Sequence, residues 1–337
     1  MRQARAWIAV TAVVVGLALL ASSAGGCAPK PESAQPVPGE EQALLTIATG
    51  GASGPYDVIG GALAKVYQTK LGYHTAVRSS DGSVENVRLL ESGKADLAFA
   101  MSDVASFALG GLESFQSSGP VARMKSVAGL YLNYVQIVTK KDRDIHSVYD
   151  LKGKRVGVGA PNSGVEVNAR MILNEHGITY NDLRPEYLSY SEAIEQLKTN
   201  AIDAAFVTSG LPNTAVLALQ STDEVQIVPI FPGHIEKLTK RFAFFEKAQL
   251  PPGVYQNEKA IPTVAIRNIL LVRSDLPNEQ VYRLTKAFFE NLDALQHAHE
   301  AAKQIDRQKA GENLVVPLHP GAALYYAELA RAKEPQP

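Results

Sequence analysis

The chain has 337 residues, with 33 Lys and Arg against 34 Asp and Glu, a net charge of −1 and a single cysteine. That balance excludes the basic face on which nucleic-acid binding rests, and one cysteine excludes a disulfide-stapled scaffold. An apolar fraction of 46% excludes a disordered body.

The chain opens as an export signal does. Arg2 and Arg5 precede an apolar run over residues 6–20, followed by small residues that end at Gly26. The run is shorter than the ~20 residues of a membrane-spanning helix, and no later stretch approaches that length. Residues 1–26 are therefore expected to be a signal peptide and 27–43, rich in proline and polar residues, a flexible tail. Cys27 stands at the junction. It is either an unpaired thiol or the acylated first residue of a lipoprotein, and Ala24-Gly25-Gly26-Cys27 resembles a lipoprotein signal although Ala24 is smaller than the usual aliphatic. An exposed free thiol is a liability in an exported protein, which favours acylation. Removing Arg2 and Arg5 with the signal leaves the mature form more acidic. The remainder, roughly 290 residues, is larger than one hydrophobic core usually serves, so two lobes are expected.

From residue 44 onward, short apolar runs alternate with segments of helical period. Residues 44–50, 74–79 and 95–102 read as strands. The first is followed by a helix through Ile59 to Tyr67, the second by a helix from Ser83 with Val84, Val87 and Leu90 on one face. Residues 126–140 form a long apolar segment. The pattern then restarts: a strand at 155–161, a helix over 164–175, a strand at 186–190, a helix over 191–201 and strands at 202–209 and 225–230. A long strand over 263–272 follows, then one helix carrying Val281, Leu284, Phe288, Leu292 and Leu295. This order predicts two α/β lobes with parallel sheets covered on both faces, joined by a two-strand hinge through the long apolar strands. Lobe I is expected to comprise 44–137 and 265–330, and lobe II 138–264.

Ligands of open parallel sheets sit outside the carboxyl ends of the strands. Four turns there share one character: Ser53 and Gly54 leading to Tyr56, Asp81 and Gly82 leading to Ser83, Met101 with Ser102, and Ser163 with Gly164. A serine at such a place is a helix cap, worth about 1 kcal/mol, or a donor to an anion held at the positive helix end. Thr208 and Ser209 end another strand. Tyr56 and Tyr131 could close over an apolar part of a ligand or simply pack. Arg78 is either a partner for a second acidic group or a solvated surface cation. Catalytic signals are weak. Gly51-Ala52-Ser53-Gly54-Pro55 fails the nucleophile-elbow pattern, no phosphate loop is present, and the seven histidines include one close pair, His297 and His299, expected on an exposed helix end. No cofactor and no metal are expected.

These turns carry a family resemblance. Gly54-Pro55-Tyr56, Gly82-Ser83-Val84-Glu85-Asn86, Gly93-Lys94-Ala95-Asp96-Leu97, Ser102-Asp103-Val104 and Asp150-Leu151-Lys152-Gly153-Lys154, together with Ile202-Asp203-Ala204-Ala205 and Leu318-His319-Pro320-Gly321, resemble the TAXI family. TAXI proteins are solute receptors of tripartite ATP-independent periplasmic (TRAP) transporters. The resemblance implies a type II periplasmic-binding-protein fold, capture of a small organic anion such as glutamate or a dicarboxylate by hinge closure, and delivery to a TRAP-type membrane permease. The implied ligand shell is Ser53, Tyr56, Ser83, Ser102, Tyr131, Ser163, Gly164, Thr208 and Ser209, with Glu166 as a further family position. Two departures are Met101, where the family commonly has glutamine, and Asp81, where it has a small residue. A receptor for an ABC importer or a signalling lipoprotein is the alternative within the same fold, and an exported enzyme the alternative outside it.

Overall fold

The computed structural model describes residues 44–332 with the exception of Ser53. The expected signal segment 1–26, the tail with Cys27, and Ser53 lie outside the described residues.

The first parallel unit consists of β1 (Leu45–Ala48), α1 (Pro55–Leu71), β2 (Thr75–Arg78), α2 (Ser83–Glu91), β3 (Leu97–Met101) and α3 (Ser102–Gly110). β1 pairs in parallel with both β2 and β3. The second unit consists of β5 (Arg155–Gly157), α4 (Gly164–Glu175), β6 (Arg184–Glu186), α5 (Tyr190–Lys198) and β7 (Ala204–Ser209), with β5 parallel to β6 and β7. Between them run β4 (Met124–Lys140) and β10 (Ile261–Arg273), paired antiparallel to each other. All belong to one sheet of order β2-β1-β3-β10-β4-β7-β5-β6. α6 (Thr214–Gln220), β8 (Val225–Val228), α7 (Pro232–Arg241) and β9 (Phe245–Leu250) extend the second half, β8 pairing with β4 and β9 with β10.

The long pair is the join of a two-lobed α/β fold. β10 pairs with β3 through Asn268 to Val272 but with β9 through Ile261 to Ile266, and β4 takes up β7 from Tyr134 onward. The partners therefore change near Asn133 on one strand and Asn268 on the other. A register shift between Arg267 and Ile269 marks this point, with two residues of β4 facing Asn268 alone. The Asn268 side chain donates to the Tyr131 carbonyl across the bulge at 3.0 Å.

The structure departs from the sequence reading in particular places. Residues 186–190 were expected as a strand, but β6 ends at Glu186 and Ser189 caps α5, its hydroxyl and the Glu192 carboxylate exchanging hydrogen bonds with each other's backbone. The single helix expected after β10 is two, α8 (Asn278–Glu290) and α9 (Leu292–Ala298). The Asn291 side chain donates back to the Ala287 carbonyl at 2.8 Å where the helix breaks. His299, expected exposed, is 9% exposed, and its Nδ1 accepts the Ala301 N–H. α10 (Pro320–Arg331) packs on α8, and α8 and α9 pack on α1. No helix among the described residues is long and apolar enough to cross a membrane.

Candidate functional site

A cavity of about 110 Å³ lies where the starts of α1, α2, α4 and α5 converge on the end of β7 and the middle of β4. It holds Gly54, Tyr56, Ser83 and Met101 from the first lobe and Ser163, Gly164, Thr208 and Ser209 from the second.

Among the described residues, one of the expected serine caps is a cap. Ser163 precedes α4, and its Oγ accepts the Glu166 N–H at 3.1 Å. Ser83 is already the first residue of α2, because Gly82 takes the preceding position with φ +124°, a conformation L side chains rarely adopt. The Ser83 Oγ instead accepts the Met101 N–H at 3.1 Å. Both hydroxyls thus have an acceptor site filled by a backbone donor. Ser83 also lies in hydrogen-bonding reach of the Tyr56 hydroxyl, whereas the Ser163 O–H has no acceptor among the described residues and can be given into the cavity. The first N–H groups of α2 and α4 have no intrahelical partner, and the positive helix end adds to their pull on an anion. Gly164 is required by proximity: a Cβ there would lie 2.2 Å from the Met101 terminal methyl and 3.1 Å from Ser83 Oγ.

The walls are otherwise apolar or spent. Tyr56 donates to Asn268 Oδ1 at 2.5 Å, and Tyr190 to the Thr208 carbonyl at 2.6 Å. The Ser209 hydroxyl donates to the Gly210 carbonyl and accepts from Asn213. Two lining groups are left over: Asn133 is 4% and Thr208 1% exposed, and Asn133 Oδ1 and Thr208 Oγ have no partner among the described residues. Buried polar atoms are ordinarily bonded, so these two are places for a ligand or water.

Four expected residues stand off the cavity wall. Arg78 ends β2 exposed. Ser102 opens α3, whose start is occupied by the Asp103 carboxylate rather than facing the cavity. Tyr131 is buried in the first lobe's core with its hydroxyl unpaired. Glu166 is turned away, since Oε1 accepts from Arg170 at 3.1 Å and from the Tyr180 hydroxyl at 2.9 Å. Conversely, Asn133, Tyr190 and Ser189 line the cavity and were not foreseen. The S-x-x-E capping box of Ser189 and Glu192 was the available signal for the last two.

The lobes also touch each other directly. Glu85 donates its N–H to the Asn162 carbonyl at 3.2 Å, Arg88 reaches Asn162 Oδ1 at 2.6 Å, and Arg170 pairs with Glu113 at 2.7 Å. Deeper in, Asn168 of α4 donates to Asp103 Oδ2 of α3 at 2.5 Å. Asp103 is fully buried, and loss of hydration pushes its carboxyl up to about 6 against the lowering effect of the Val104 and Asn168 donors. No group of three His, Cys, Asp or Glu among the described residues could hold a metal.

The sequence pattern of the NMT1-like family matches residues 47–329. Among solved structures the chain is similar to MatC from Rhodopseudomonas palustris with bound malate, at 14% identity over 86% of this chain and 97% of that one, with a TM-score of 0.58. It is also similar to the periplasmic aliphatic sulphonate binding protein SsuA from Escherichia coli (18% identity, 76% and 72% covered, TM-score 0.41). A third similar structure is the GluR0 ligand-binding core from Nostoc punctiforme in complex with L-glutamate (16%, 76% and 97%, 0.45). At such identities the likeness is one of fold. The two-lobed periplasmic-binding-protein architecture expected from the sequence is the architecture of this chain.

Proposed function

The chain belongs to the NMT1-like family, and from that premise we propose that it is an exported solute receptor that captures a small organic acid, an amino acid or a dicarboxylate, between its lobes and delivers it to a TRAP-type permease. The observation that carries the reading is the pair of hydroxyls, Ser83 from one lobe and Ser163 from the other, each held by a backbone N–H at the wall of a shared cavity. Such an arrangement binds a carboxylate by both lobes at once and does no chemistry on it. Among the described residues the cavity brings no nucleophile together with a base. The permease class rests on the TAXI resemblance of the turns, and the location on the Arg-led apolar run before Cys27.

Native mass spectrometry of the purified protein tests the capture. A co-purifying small acid, released on denaturation, is the expected result, and persistent absence of any bound acid, together with no response to added acids in calorimetry, would refute it. For the anchor, Cys27→Ser should abolish acyl labelling and free the protein from membranes. Retention of that variant would refute lipidation.

A further inference from the structure

The charge around the cavity is one-sided. Among the described residues no Lys or Arg side chain lines it, whereas Asp81 does, at the turn before Gly82. The Asp81 carboxylate pairs with no side chain among the described residues, and only its backbone N–H is engaged, by Glu85 Oε2 at 2.8 Å. Glu85 and Glu192 stand near enough to add to its negative surroundings, and these, after partial burial, raise its carboxyl above the ordinary value. A second observation is independent of charge: Thr208 and Asn133, both more than nine-tenths buried, line the same cavity with unpartnered oxygen atoms. Met101, Ala160, Val165 and Leu188 give the same wall an apolar surface.

A ligand must meet all of these. One carboxylate is accommodated by Ser83, Ser163 and the helix starts. A second carboxylate would find no cation and would face Asp81. A protonated amine, by contrast, supplies donors and a positive charge to a wall that offers a carboxylate and unpaired oxygens. We infer that the cavity selects an α-amino acid with an apolar side chain, its ammonium group held against Asp81, and rejects dicarboxylates. This rests on the receptor reading above and chooses among the ligands that reading leaves open. Glutamate, with its extra carboxylate, falls on the rejected side.

The test is calorimetric titration of the full-length protein, freed of co-purified ligand by dialysis, with L-valine, L-leucine, 2-oxoisovalerate, L-glutamate and L-malate. 2-Oxoisovalerate carries a carbonyl oxygen where valine carries its ammonium group, so the pair contrasts a charged donor with a neutral acceptor at one position. The expected result is that valine or leucine binds at least tenfold tighter than 2-oxoisovalerate, glutamate or malate, as one charge-assisted contact of about 1.4 kcal/mol requires. In Asp81→Asn the valine to 2-oxoisovalerate ratio should fall close to one. Malate, glutamate or the oxo acid binding as tightly as valine to the unaltered protein overturns the inference and leaves the receptor reading standing. So does a ratio that Asp81→Asn leaves intact. Failure of all five to bind overturns both.

Discussion

Ser163 serves two functions at one atom, and they can be separated. Its Oγ accepts from Glu166 and so caps α4, while its proton is free for the ligand. Ser163→Ala removes both. The cap is worth about 1 kcal/mol, a small drop in melting temperature, and a charge-assisted hydrogen bond is worth ~1.5–3 kcal/mol. Ligand affinity should therefore fall roughly tenfold to a hundredfold, read by calorimetry beside the melting curve. Undiminished affinity would place the hydroxyl outside the ligand's reach. Gly164→Ala addresses the neighbouring position differently, because its new Cβ meets Met101 and Ser83 of the opposite lobe rather than its own helix. It should weaken ligand binding with little loss of melting temperature. A large loss of stability would show instead that the clash is borne within one lobe. At this scale the serines and glycines of the turns were legible in the sequence, because their residue types announce helix starts. Asn133 was not: it sits inside a long strand, and its place on the cavity follows from where β4 changes partners, which no local pattern encodes.

α3 and α4 meet across the interlobe boundary through Asp103 and Asn168, and this makes closure sensitive to pH. Asp103 carries a value of about 6 where it is buried, against 3.8 for a solvated carboxylate. None of the causes of its shift is a charged side chain, and the ionisable group that interacts with it among the described residues is the buried Tyr56 hydroxyl. Separating the helices uncovers Asp103, so the closed form holds the proton more tightly and closing takes one up. The resulting contribution to closure is fully present below the open-form value and is lost as pH rises through about 6. Ligand affinity should accordingly increase by up to about tenfold between pH 7 and pH 5, and Asp103→Asn should flatten that slope. A slope unchanged in the variant would assign the pH response elsewhere. The helices themselves were readable from their periodicity, and α4 begins and ends where the sequence placed it. The break between α8 and α9 was not readable from the apolar spacing, since Val281 to Leu295 keep one face across it. At the break the Asn291 side chain donates to the Ala287 carbonyl, a polar competitor that apolar periodicity ignores.

Across the whole molecule, two parallel units flank β4 and β10, and all relative movement of the lobes must pass through those two strands. Ligand that contacts both lobes should favour the compact form. Small-angle scattering is expected to give a smaller radius of gyration at saturating ligand than without it, and superimposable curves would refute hinge closure about this pair. The two-unit order was visible in the sequence because each unit repeats strand, turn and helix. The antiparallel insertion of β10 between β3 and β4 was not, being a pairing between residues far apart in the chain. The bonds that join Arg88 to Asn162 and Arg170 to Glu113 have a consequence in time. They are made by the protein alone, so a captured molecule leaves only after they part, whatever its own grip. Dissociation of strong and weak ligands should then converge on one slow rate, the rate of opening. Because these contacts are partly exposed, added salt should quicken that common step.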